Sequence, residues 1–179
     1  MKIMKHNVMS MDENVYIVYD EITKEGVIID PGMDAGQIMN AVDKAGITVK
    51  AILLTHGHGD HSHATPELVR LSGAKTYIHK VDLMYLKEGT EIDVFVKDGD
   101  IIKLVNTEIL CLETPGHTLG TISLFFDVEE KGKVFLSKVC ENVVNGTATR
   151  TPQDHAKATL APPLTKEMAL FDFNNSAHI

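Results

Sequence analysis

Thr55-His56-Gly57-His58-Gly59-Asp60-His61-Ser62-His63 gives the rest of the chain its meaning. Four of the nine histidines lie in it, interleaved with glycines and one aspartate, directly behind the apolar run Ala51-Ile52-Leu53-Leu54. Neutral imidazole and carboxylate are ligands that zinc and similar borderline cations accept at about 2 Å. Small residues let a turn aim successive side chains inward, and Gly57 and Gly59 permit backbone angles that bulkier residues resist. His56 and His58, two apart, are placed to serve one ion, while Asp60 and His61 on the next bend face a second. A lone histidine in a polar loop carries no such meaning. His-x-His-x-Asp-His behind a buried strand reads as metal-binding because of that context.

On the amino-terminal side, Asn14 to Tyr19 alternates and is rich in Val, Ile and Tyr, and Val27-Ile28-Ile29 follows a turn at Thr23 to Gly26. The pair predicts a β-hairpin, closed by Asp30-Pro31-Gly32. Asp34 is positioned to cap a helix with Gln37 three residues on; Ile38, Val42 and Ala45 share one face before Gly46 stops it. Val49 to Leu54 is apolar apart from Lys50 and predicts a strand covered on both faces.

Beyond the histidines, Thr65 with Pro66 opens a helix whose Leu68 and Leu71 face inward and whose end is Gly73. Lys75 to Ile78 reads as a strand and Val81 to Leu86 as a short helical piece. Ile101 to Val105 pairs with Glu108 to Leu112 through Asn106-Thr107, and Ile122 to Phe126 pairs with Lys133 to Leu136. Between these pairs lies Thr114-Pro115-Gly116-His117-Thr118. Alone, His117 is a loop residue; beside the first motif it is the third imidazole that a zinc held by two still needs. The order of elements predicts an α/β layered fold with two sheets, helices outside and ligand loops gathered at one edge.

At 179 residues the chain is about one domain long. A net charge of −8 argues against a nucleic-acid groove, which needs a basic surface. The two cysteines, Cys111 and Cys140, stand in no metal-ligand spacing and read as reduced thiols, Cys111 buried on its apolar strand. Met1 to Asn7 lacks a long apolar core and a cleavage pattern, and no later run approaches membrane-spanning length, so the expectation is a cytoplasmic protein with no membrane partner. His6 and His79 are expected at the surface, His63 in solvent or in an outer ring around the site, and Met33 and Met39 as gap-fillers.

Asn14-Val15-Tyr16, Asp30-Pro31-Gly32, Thr55 to His61 and Thr114-Pro115-Gly116-His117-Thr118, in that order, resemble the metallo-β-lactamase fold hydrolases, and within them the short glyoxalase II-like proteins (hydroxyacylglutathione hydrolases). The resemblance covers Val8 to Leu136, and the histidine motif is its specific part. It implies a four-layer αββα sandwich with metals at the sheet edge. Carried over by position, His56, His58 and His117 are ligands of a first metal, Asp60 and His61 contribute to a second, and Asp60 also orients the nucleophile. The implied chemistry is zinc-dependent, with iron or manganese as alternatives: a metal-bound hydroxide attacks a small acyl thioester. His58 stands where flavin-linked di-iron relatives carry glutamate, which favours hydrolysis; a mononuclear-iron sulfur dioxygenase, using two histidines and an aspartate, stays an alternative.

The pattern breaks at Leu136-Ser137-Lys138. The family continues there with a Gly-Asp pair whose aspartate bridges the metals. Lys138 falls at that place, and an ammonium beside two cations is unfavourable. A late Pro-Gly-His turn is also missing. His155, in Gln153-Asp154-His155, reads as a polar-loop residue and His178 as a chain-end residue; Asp154 is a possible replacement carboxylate. The expectation is therefore one domain over 1–179, family-like over 1–136 and atypical, incomplete or divergent, over 137–179. Divergence, an altered sequence or a reading-frame shift near Ser137 each account for the change. The first metal site is complete and the second short of ligands, which makes a catalytically impaired metal-binding protein the alternative to an active hydrolase.

Overall fold

In the computed structural model, which describes residues 1–8, 13–104, 107–130 and 133–139, the strand behind the histidine motif lies in the middle of a six-stranded sheet. That sheet runs β1 (Lys2–Val8), β2 (Glu13–Tyr19), β3 (Glu25–Ile29), β4 (Thr48–Leu53), β5 (Lys75–His79), β6 (Val94–Val96) in spatial order. Its first three strands are antiparallel, and β3 to β6 are parallel. A second sheet, antiparallel throughout, has the order β10 (Lys133–Val139), β9 (Ile122–Glu130), β8 (Thr107–Glu113), β7 (Ile101–Leu104). Helices α1 (Ala35–Lys44), α2 (Gly59–Ser62) and α3 (Thr65–Ser72) and a 3-10 turn over Lys80–Tyr85 fill the parallel crossovers.

Side-chain alternation divides the core in two. Val15, Ile17, Ile28, Ile52, Leu54 and Ile78 pack with Ile38 and Val42 of α1 and Leu68 of α3. Their neighbours Tyr16, Val18, Val27, Ile29, Ala51 and Leu53 face the other way, against Ile109, Cys111, Ile122, Leu124 and Phe126 of the second sheet. Both faces are thus covered over Val27 to Ile29 of β3 and Ala51 to Leu53 of β4, which is why these stretches read as apolar runs, while Lys50 at the start of β4 is exposed and pairs with Glu25. Leu112 and Phe125, out of phase with the inward set, are also buried, so the second sheet's other face is covered in part, while Ile101 and Lys103 of β7 are exposed. Helix, sheet and sheet are described layers of the sandwich. The expected further helical layer, the Lys138 side chain, Cys140, Asp154, His155 and His178 lie outside the described residues and side chains.

The helix ends follow the local chemistry. Asp34, itself left-handed at φ 58, accepts the Gln37 N–H at 3.0 Å, and α1 stops before Gly46 at φ 67. Pro66 opens α3 and Gly73, at φ 67, closes it. One expectation for α3 is corrected: Leu68 is buried, but Leu71 is 45% exposed. Thr65 and Leu68 are buried and Val69 packs against the core. Residues 65, 68, 69 and 72 make one row of an eight-residue helix, and Leu71 lies to the side of it. The reading also missed β1, β6 and α2. β1 is a mixed Lys and Met strand held by pairing with β2, with Ile3 against the inter-sheet core and Met4 against the helix side. Among the described residues no helix is long and apolar enough to cross a membrane.

Candidate metal centre

The ligand-bearing segments meet where ligands usually sit in parallel sheets, beyond the carboxyl ends of the strands. β4 ends at Leu53 and delivers His56 and His58; Asp60 and His61 lie in the single turn of α2. His117 arrives from the other sheet, in the β8–β9 loop. One backbone bond stitches the sheets here, Ile122 N–H to the Thr55 carbonyl at 2.9 Å, and Thr114 N–H to the Thr121 carbonyl at 2.8 Å closes the base of the β8–β9 loop.

Two groups of donors result: His56, His58 and His117, and His56, Asp60 and His61, each with one ligand atom per residue within 4.8 Å of the others. His58 Nδ1 and His117 Nε2 lie 2.8 Å apart. The His56 ring centroid is 4.9 Å from those of His58 and His117 and 4.3 Å from that of His61. Nitrogens bound to one tetrahedral zinc stand about 3.4 Å from each other, so the first group fits such an ion with small adjustments. Its protonation state fits as well. Burial lowers His56 to about 4, and burial followed by the neighbouring His58 and His61 lowers His117. Both rings are neutral at pH 7, the form that binds metal.

Asp30 sets the orientation of this cluster. It is buried and left-handed, at φ 51, which turns the chain sharply at the end of β3. Its carboxylate accepts the Thr55 N–H at 2.7 Å and the Thr55 hydroxyl at 2.6 Å, and lies 3.4 Å from His61 Nδ1. With its proton committed to Asp30, the Thr55 oxygen can accept from His56 Nδ1, 3.2 Å away. That assigns the His56 proton to Nδ1 and leaves Nε2 as the donor to a metal.

A second buried carboxylate, Asp82 in the 3-10 turn, touches both histidine loops. It accepts the Gly57 N–H at 3.1 Å, the Thr118 hydroxyl at 2.7 Å and the Gly120 N–H at 2.9 Å. This corrects the expected role of Gly57, which does not have a positive φ. A Cβ at Gly57 would collide with the Asp82 carbonyl oxygen, so the need is for close approach. A Cβ at Gly59 would make only ordinary contact, 3.6 Å from His63 Nδ1. The Tyr85 ring lies 4.8 Å from that of His58.

The structure therefore brings together all five sequence-predicted residues, His56, His58, His117, Asp60 and His61. His63 is exposed, as expected. His79, expected at the surface, has a side chain only 14% exposed with Nε2 3.2 Å from a Glu113 carboxylate oxygen. His6 is likewise part-buried, because β1 belongs to the sheet. The roles of Asp30 and Asp82, and the contact of Tyr85 with His58, were not read from the sequence. Asp30 had a signal in its Asp-Pro-Gly turn; Asp82 sits in a short stretch with none.

Known proteins bear on this geometry. A hydroxyacylglutathione hydrolase of Cereibacter sphaeroides is 30% identical over 157 residues, 86% of this chain and 60% of that protein. PksB of Bacillus subtilis, a probable polyketide biosynthesis zinc-dependent hydrolase, is 29% identical over 111 residues, 62% of this chain and 49% of that protein. The chain thus spans 49% and 60% of the lengths of these curated relatives. The crystal structure of BLEG-1 B3 metallo-beta-lactamase superposes with a TM-score of 0.66 over 75% of this chain and 70% of that one at 22% identity, a likeness of fold. The family model of the metallo-beta-lactamase superfamily matches residues 11–131, more than half of the sequence and both histidine loops, and the chain belongs to that superfamily.

Proposed function

We propose that this protein is a metal-dependent hydrolase of a small acyl thioester, of the glyoxalase II type, working with one tightly held zinc. The observation that carries this reading is the meeting of His56, His58 and His117 from two sheets, their ligand atoms within 4.8 Å of one another. A divalent cation bound there supplies Lewis acidity to a carbonyl oxygen and acidifies water. The protein's own groups do the rest. Asp30, through Thr55, keeps the proton of His56 on Nδ1. Asp60, part-exposed at the mouth, accepts a proton from the attacking water. The thiolate leaving group needs little help, since thiols ionise far more readily than alcohols. The relatives' printed names, hydroxyacylglutathione hydrolase and zinc-dependent hydrolase, support the reaction class and the metal. A cytoplasmic setting is supported by Cys111, a buried free thiol.

The test is turnover of S-lactoylglutathione and a simple thioester by the zinc-loaded protein, with His58→Ala as control. Hydrolysis well above the control supports the proposal; equal rates overturn it. In that case the second reading stands, a metal-binding protein impaired in catalysis. Its support is Lys138, at the place where the family has its bridging aspartate.

A further inference from the structure

We infer that Asp82 is a positioning residue that sets the geometry of the histidine triad by holding its two loops with one carboxylate; the inference rests on the proposed metal site. The three donors it accepts are the Gly57 N–H, the Thr118 hydroxyl and the Gly120 N–H. Gly57 lies between His56 and His58, and Thr118 directly follows His117. One anion therefore fixes the residue between the first two ligands and the residue after the third, although His58 and His117 are 59 positions apart.

His117 needs such a tether. It is exposed, on a loop between two strands, and meets the rings of His56 and His58 only if the loop backbone is held in place. Its neighbour Thr118 is only 4% exposed and is bound on two sides, its hydroxyl 2.7 Å from that of Thr121 and its N–H donated to the same oxygen at 3.0 Å. Asp82 itself is fully buried, and a carboxylate is stable there only when its oxygens receive strong hydrogen bonds. The fit is tight: a Cβ at Gly120 would lie 2.5 Å from Asp82 Oδ1, and one at Gly57 would collide with the Asp82 backbone. All three donors require an acceptor. An amide cannot satisfy them together, because its NH2 must face either the Gly120 N–H or the Gly57 N–H. Groups outside the ligand set that orient it are commonly worth 10- to 100-fold in metal affinity.

The experiment uses the full chain, stripped of metal and titrated with Co(II) and Zn(II) against a competing chelator, while the visible absorption of cobalt is recorded. Asp82→Asn, Thr118→Val and Thr118→Ser are compared with the unaltered protein, and thermal unfolding of each metal-free form reports its fold. Asp82→Asn is expected to weaken binding by about 10- to 100-fold and to change the cobalt spectrum. Thr118→Val, which removes one donor of three, should do the same to a smaller degree while still unfolding in one cooperative transition at a somewhat lower temperature, and Thr118→Ser should restore affinity and spectrum. If Asp82→Asn does not fold, the two Thr118 variants decide alone. Wild-type affinity and spectrum in Thr118→Val overturn the inference, as does a loss that Thr118→Ser fails to restore. An unaltered protein that binds no metal overturns this inference and the proposed function together; one that binds metal, with variants that bind equally well, overturns this inference only.

Discussion

The two donor groups share His56 and differ in how the chain builds them. His56, His58 and His117 join loops from two sheets and consist of imidazoles alone. His56, Asp60 and His61 are local, contained in one loop and the turn of α2, and more open, with the Asp60 side chain 42% exposed. With its proton on Nδ1, His56 has one lone pair and can serve one ion at a time. An ion on the triad therefore leaves Asp60 and His61 as the described ligands of a second, fewer than the three protein groups that zinc usually takes. The first group is a product of the tertiary fold and the second of local sequence. In the proposed function, tight binding falls to the first and proton handling to the second.

Replacing one ligand breaks that contrast most severely. His117→Ala should lower zinc affinity by more than the roughly 100-fold that an outer partner can cost, and reduce thioester turnover to background. Metal competition and a steady-state assay measure both. Asp60→Asn should separate the groups: zinc stoichiometry stays unchanged while turnover falls by about 100-fold or more, the size of a lost general base. If Asp60→Asn loses the zinc instead, the division of roles is wrong.

Smaller effects sharpen the comparison through the framework. Gly57→Ala places a Cβ against the Asp82 carbonyl oxygen and should destabilise the protein by about 1–3 kcal/mol, read from chemical denaturation. Acid should act on the metal-free protein through His56. Its ring takes a proton at 6.5 when unfolded and only near 4 when folded, so the unfolded state binds more protons between those values. Stability is therefore fully present above pH 6.5 and declines toward pH 4, which melting curves across that range will follow. Cys111 marks the interior away from both groups. Burial pushes its thiol up to about 12, and it should resist alkylation at pH 8 until the protein unfolds, as peptide mass mapping reports.

Much of this was legible in the sequence. The hairpin of β2 and β3, the caps of α1, the break at Gly73 and the buried β4 each rest on local rules, and local rules survive into the fold. All five site residues were visible because their types and spacing carry chemistry. What stayed hidden depends on partners distant in sequence. Asp82 resembles any acidic residue in a short turn until Gly57 and Gly120 are seen against it. Leu71 looks inward by type, but the row that faces the sheet runs through Thr65 and Leu68. Gly57 was recognised as necessary for the wrong reason, since backbone freedom is a local property and close approach is not.

Zinc stoichiometry tests the central claim most directly. Equilibrium dialysis with metal analysis should find one tightly bound equivalent per chain, absent in His117→Ala, with any second equivalent bound much more weakly. No zinc in the unaltered protein, two equally tight equivalents, or a full equivalent retained by His117→Ala would contradict it.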